Sequence, residues 1–350
     1  MDLSLGAFLS AVGTYPSLLV IVILVMGVTV VSGATDAPNA IATAISTRCM
    51  KPGPALILAA VFNFVGLFGM TYISAAVAST MFNMVDFTGG GTHAALLALV
   101  AAMIGSIGWG LFCWFKGIPA SKSHSLIAGI TGAAIALNGF GGIVLGEWMK
   151  VIYGMVFSLV AGFALGWLIV KGVELAFSGI NRRKGNAVCT VIQNILAMIL
   201  AFLHGAQDGQ KFMAIAMLGF SLSMGFESSS ATDFPLWLMI VCSLAMALGT
   251  LIGGKRIIKS VAMDMVQLEK YQGVSSSMST SITLLVASLT GMPVSTSHCN
   301  TSAIMGVGAS KNPRNVKWNV AGGMVSAWVL TFPCCGLIGF LLAKLFILVF

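Results

Sequence analysis

Two unlike motifs occur twice in this chain, in the same order and at nearly the same spacing. The first, Gly33-Ala34-Thr35-Asp36-Ala37-Pro38-Asn39-Ala40, is answered by His204-Gly205-Ala206-Gln207-Asp208-Gly209-Gln210-Lys211, with Asp36 and Asp208 172 positions apart. The second, Gly117-Ile118-Pro119-Ala120-Ser121-Lys122-Ser123-His124, is answered by Gly291-Met292-Pro293-Val294-Ser295-Thr296-Ser297-His298 at an offset of 174. The spacing predicts an internal duplication: an N-terminal repeat over 1–180, a basic linker over 181–187 and a C-terminal repeat over 188–350.

The runs ahead of the first motif set the fold class. Ser17–Val31 and Cys189–Leu203 are uncharged stretches of 15 residues. At about 1.5 Å of rise per residue, neither alone crosses a hydrocarbon core of roughly 30 Å. Apolar sequence resumes beyond the motif, in Ala40–Ile45. A helix broken near mid-membrane is therefore expected in each half. Thr35 or Asp36 would cap the second piece, with Pro38 in its first turn. Charged residues make up 8% of the chain and apolar ones 58%, against roughly a quarter charged in soluble domains. The reading is an all-α polytopic membrane protein. The apolar runs are continuous rather than alternating, which excludes a barrel. The net charge of +8 belongs to cytoplasmic loops rather than to a nucleic-acid surface. Seven scattered cysteines without a C-x-x-C pattern read as small buried side chains, with no disulfide and no metal site expected. No basic region precedes the first apolar run, so no cleaved signal peptide is expected.

Spans are expected at Ala55–Thr80, His93–Phe115, Val151–Val170 and Phe234–Gly253, while Gln267–Leu289 is the least apolar candidate. With the N-terminus outside and five crossings per half, the loops at 48–54, 116–122, 171–184, 255–270 and 311–317 fall inside. Those at 81–92, 138–149 and 221–233 fall outside. Every arginine then lies on the inner side. An odd number of crossings per half makes the two repeats inverted, with about 10–12 membrane elements in all. Whether the Pro-Ser elements cross or re-enter stays open. Inverted repeats with interrupted helices at matching positions point to a secondary transporter with its site at the repeat interface.

Each motif is expected to begin a helix inside the membrane, capped by Asp36, by Asp208, by Ser121 or Ser123, and by Ser295 or Ser297. Four such N-termini would attract a compact oxyanion, with the hydroxyls adding donors. Two aspartates beside an anion require cations or protons for balance, with Thr35 or Asn39 completing an oxygen shell. Lys122 and Lys211 are candidates for fixed counter-charges, with Lys122 equally readable as a side chain snorkelling to the cytoplasmic surface. His124, His204 and His298 read as structural hydrogen-bonding residues. A Ser123–His124 hydrolase is disfavoured, because adjacent residues on a helix do not face one another. A passive anion channel is disfavoured by the carboxylates.

These four motifs resemble the PiT family of inorganic phosphate transporters, whose signature is a duplicated G-A-N-D-x-x-N-A with a G-[IL]-P-[VI]-S-[ST]-[ST]-H element in each half. The resemblance spans essentially the whole chain. It implies cation-coupled import of inorganic phosphate, with sodium or protons as coupling ions, no covalent cofactor, no enzymatic activity and a homodimer in the cell membrane. The resemblance implies a phosphate site drawn from Asp36, Asn39, Ser121, Ser123, Asp208, Ser295, Thr296 and Ser297, and Thr35, Lys122, Gln207 and Lys211 in the same motifs are expected to share it. It implies a sodium site drawn from Asp36, Asn39, Asp208, Ser121 and Ser295. Some relatives of the family are sulfate permeases, so another oxyanion is the alternative. The chain departs from the signature at four places: Thr35 and Gln207 replace the Asn before each Asp, Lys211 replaces the second-half partner of Asn39, and Lys122 stands where a hydroxyl is usual.

Overall fold

The computed structural model describes residues 3–116, 121–225, 234–264, 268–316 and 318–350. Gly117–Ala120 of the first Pro-Ser element, residues 226–233 of the expected outer loop, 265–267 and Lys317 lie outside them. Among the described residues there is no strand; Val85 and Ile143 form an isolated bridge.

The first helix, α1 (Leu5–Thr14), is capped by Ser4, whose hydroxyl accepts from the Ala7 N–H. The first motif sits between α2 (Pro16–Thr35) and α3 (Pro38–Ser46). Pro38 carries no N–H and cannot continue the α2 ladder, so the helix is interrupted where expected. Neither Thr35 nor Asp36 caps α3, however. The N-cap is Ala37, with no side-chain cap, and the Asp36 N–H still donates to Ser32 in the last turn of α2. Next come α4 (Pro52–Ile73) and α5 (Ala76–Asn83), which divide the expected single span at Ala55–Thr80. The division is held by Gln210, which donates to the Ser74 carbonyl at 2.9 Å and accepts from the Ala78 N–H at 3.3 Å.

The half closes with α6 (Gly91–Lys116), α7 (Lys122–Asn138) and α8 (Leu145–Phe177). The basic segment expected as a linker over 181–187 is instead the first turns of α9 (Arg182–His204), begun by the Asn181 cap, and only 178–181 connect the halves. At the second copy of the first motif the helix does not break. Gly205–Gly209 forms a single π-turn and α10 (Gln210–Ser223) continues directly. The reason is local: Gln210 stands where Pro38 stands in the first half and keeps its N–H. The chain ends with α11 (Leu236–Asp264), α12 (Lys270–Leu289), α13 (Thr296–Lys311) and α14 (Trp318–Val349). Most of the inner loop expected at 255–270 is thus helix.

Among the described residues, seven helices are long and apolar enough to cross a membrane, five of them in the first half. Their outer faces carry exposed Ile23, Val156, Val160, Trp167, Leu330 and Leu341, the surface a helix presents to lipid. The serine-rich α12, the least apolar of the expected spans, turns its hydroxyl face inward, with Ser275, Ser276, Ser277, Ser279, Thr280 and Thr283 all buried while Met278, Ile282 and Leu285 stay exposed. Several of those hydroxyls donate to carbonyls one turn back, which satisfies them without water.

The packing repeats with the sequence. α2 crosses α11 as α9 crosses α4, and α14 lies on α7 as α8 lies on α13. A Cβ on Gly33 would overlap the Met246 carbonyl, and one on Gly205, 172 positions later, would overlap that of Asn63. Small residues permit these close crossings. Every one of these crossings joins a helix of one half to a helix of the other, so the halves interlock, and the described residues of the four motifs are carried into their shared interior.

Candidate functional site

Ser121 and Ser295 are the N-caps of α7 and α13, and both play that part identically. Each hydroxyl accepts the N–H three residues on, His124 or His298, at 3.4 Å. The serines also meet: Ser121 Oγ donates to Ser295 Oγ at 3.0 Å. Two helix N-termini from the two halves therefore converge, each offering unpaired N–H groups and roughly half a positive charge. The sequence suggested four converging termini. Of the four, two are capped by a side chain, those of α7 and α13; α3 begins at Pro38 without one, and Asp208 lies inside the π-turn.

The aspartates flank this junction. The Asp36 carboxylate is 3.7 Å from the Lys122 ammonium, and both side chains are largely buried. Asp208 is enclosed more completely. Lys211 donates to its Oδ1 at 2.8 Å and Ser123 at 3.3 Å, while Thr296 donates to its Oδ2 at 3.4 Å. His204 Nε2 lies 3.2 Å from the same Oδ2, and its Nδ1 lies 2.9 Å from Asn63 Oδ1. Lys211 is wholly buried and also donates to Ser123 Oγ at 3.1 Å and to the Val294 carbonyl. Both lysines thus sit beside aspartates, Lys122 by Asp36 and Lys211 by Asp208.

Asn39 bridges the halves. Its Nδ2 donates to Ser297 Oγ at 2.7 Å, and its carbonyl accepts from Asn300 Nδ2 at 3.0 Å. Its Oδ1 is buried without a partner among the described residues. A cavity of about 10 Å³ opens there, lined by Asp36, Asn39, His204, Thr280, Thr296 and Asn300. That is room for one water or one bare cation, not for a tetrahedral oxyanion. The oxygens around it are the hard donors that suit a sodium ion.

Two residues of the expected set are engaged elsewhere. Thr35 donates back to the Val31 carbonyl at 2.9 Å within its own helix. Gln207 holds the 291–295 loop, donating to Ser288 Oγ and the Met292 carbonyl and accepting from the Val294 N–H. The histidines divide. His204 is hydrogen-bonded through Nδ1, whereas its Nε2, both His124 nitrogens and His298 Nε2 have no hydrogen-bond partner among the described residues. Those two rings meet edge to face at 4.4 Å, and His298 stacks on Trp328 at 3.6 Å. Sequence reasoning missed Asn63, Thr280 and Asn300, though a lone asparagine in an apolar run is the one available signal. A larger cavity of about 360 Å³ lies away from the motifs, at the junction of α8 and α9. Glu174, Glu269 and Arg182 line it, and the net negative charge makes it a poor place for an anion.

The phosphate transporter family model matches residues 32–339, which contain all four motifs. A probable low-affinity inorganic phosphate transporter of Bacillus subtilis (strain 168) is 35% identical over 321 residues, covering 92% of this chain and 94% of its own length. One from Rhizobium meliloti (strain 1021) is 38% identical over 308 residues, covering 88% and 90%. In fold the chain is similar to a solved structure described as the sodium-dependent phosphate transporter. The TM-score is 0.87 over 96% of this chain and 100% of that one, at 19% identity. These relatives are transporters rather than enzymes, and with its apolar helices this chain is a multi-pass integral membrane protein. It belongs to the phosphate transporter family.

Proposed function

We propose that this protein carries inorganic phosphate across the plasma membrane together with a cation, sodium or a proton, by alternating access to the site between its two halves. The observation that carries this reading is the Ser121–Ser295 contact, which joins two helix N-termini inside the membrane and between the halves. In this reading Ser121, Ser123, Ser295, Thr296 and Ser297 supply hydroxyls to the anion, and Lys122 supplies charge. Asp36 and Asn39 hold the cation with Thr280 and Asn300.

The charge balance supports coupling. Asp36 and Asp208 are offset by Lys122 and Lys211, so the site is formally neutral before substrate enters. A phosphate adds between about one and two negative charges, a heavy cost at low dielectric unless a cation enters with it. The closed Ser121–Ser295 contact supports alternating access, since the halves must part to admit an anion between them. The same reading includes a homodimer, to be checked by mass measurement in detergent, and two inverted repeats.

Labelled phosphate uptake into proteoliposomes tests the function. Concentrative uptake driven by an inward sodium or proton gradient, and resistant to excess sulfate, is the expected result. Uptake that only equilibrates would mean a channel. Displacement by sulfate would mean a different oxyanion.

A further inference from the structure

We propose that the Lys211 ammonium is a built-in cation, occupying in this chain the second of two repeat-related cation positions. The inference rests on the cation-coupled reading above and concerns how many mobile cations that coupling uses. The internal repeat registers Asp208 with Asp36 and Lys211 with Asn39 at 172 positions, and Ser123 with Ser297 at 174. The contacts obey the same register across the interface between the halves. Asn39 bonds Ser297, and Lys211 bonds Ser123.

What differs is the occupant. In the first position a neutral asparagine leaves a buried Oδ1, without a partner among the described residues, beside a cavity of about 10 Å³ and a carboxylate. Oxygen donors and space are present there, and the positive charge must come from outside. In the second position the charge is covalently attached. The ammonium has three donors and places them on three oxygens: Asp208 Oδ1, Ser123 Oγ and the Val294 carbonyl. It reaches no solvent at all. A carboxylate, a hydroxyl and a backbone carbonyl around one positive charge make the shell of a small hard cation, filled here by a side chain. A tethered charge cannot leave with the substrate, so the chain couples through the Asp36 position alone.

The test is the ratio of cation to phosphate moved by proteoliposomes, read from labelled sodium or proton flux against labelled phosphate. The wild type is expected to move one cation per phosphate, and Lys211→Asn, which restores the residue of the first half, one more than the wild type. Lys211→Asn in detergent should also gain a sodium-dependent rise in melting temperature larger than that of the wild type, a readout independent of transport. A wild-type ratio of two overturns the assignment of Lys211 whatever the variant does. So does a Lys211→Asn ratio, or sodium response, equal to that of the wild type. Phosphate movement without any cation overturns the coupled-transport reading itself, and the two failures are told apart by that result.

Discussion

The Asp208–Lys211 pair makes the sharpest energetic prediction. Both side chains are essentially excluded from solvent, and the 2.8 Å contact is supported by Ser123, Thr296 and the Val294 carbonyl. Removing one partner of such a pair leaves a buried charge without its counter-charge, at a cost of about 3–5 kcal/mol. Lys211→Met should sit in the lower part of that range, since the carboxylate retains two hydroxyls and an imidazole. Asp208→Asn should sit nearer about 3 kcal/mol, because the ammonium keeps the Ser123 hydroxyl and the Val294 carbonyl. The double variant removes both charges and loses only hydrogen bonds worth about 0.5–1.5 kcal/mol each. The singles therefore overshoot, and the double-mutant cycle should give a coupling of about 3 kcal/mol or more. Equilibrium unfolding in mixed micelles of mild detergent and SDS, followed by tryptophan fluorescence, measures it. Additivity to within about 0.5 kcal/mol would refute the reasoning.

Three further outcomes follow from particular contacts. Gly205→Ala places a methyl against the Asn63 carbonyl and should cost about 1–3 kcal/mol, seen as a lower unfolding midpoint, while alanine at the exposed Gly172 should not. Gln207→Ala leaves the buried Val294 N–H without its acceptor. It should raise the KM for phosphate uptake, because the loop carrying Ser295 loses its clamp, and should destabilise by about 1–3 kcal/mol. At the α9–α12 corner, Arg182→Ala removes only an exposed ion pair and should cost under about 1 kcal/mol. Glu269→Ala also removes a capping box with Gln272 and should cost about 1 kcal/mol more in the same unfolding assay.

Which parts of this structure were readable from residues follows from how local their causes are. The break after Asp36 was readable because a proline acts through its own missing N–H, wherever it sits. The serine caps were readable because the side-chain oxygen and the N–H it serves are three positions apart in sequence. The second motif copy misled for the same reason. Its likeness to the first suggested a break, yet Gln210 keeps the N–H that Pro38 lacks, and the helix absorbs one extra residue as a π-turn. The division at Ser74 depends on that same glutamine, from 132 to 136 positions away, and no local signal marks it. The cation-sized cavity was legible only in part. Asp36 and Asn39 belong to a motif, but Thr280 and Asn300 come from α12 and α13, where they look like ordinary polar residues until the helices pack. The serine-rich α12 reads as a weak span on hydropathy alone. Once it lies between α8, α9 and α13, its hydroxyls become the polar lining of an interior that no lipid reaches.

The meeting of the two halves at Ser121 and Ser295 as the anion site is tested most directly by a structure determined in the presence of phosphate and sodium. Tetrahedral density at the N-termini of α7 and α13, within hydrogen-bond distance of those hydroxyls, is the result predicted. Anion density elsewhere, with the Ser121–Ser295 contact still closed, would contradict it.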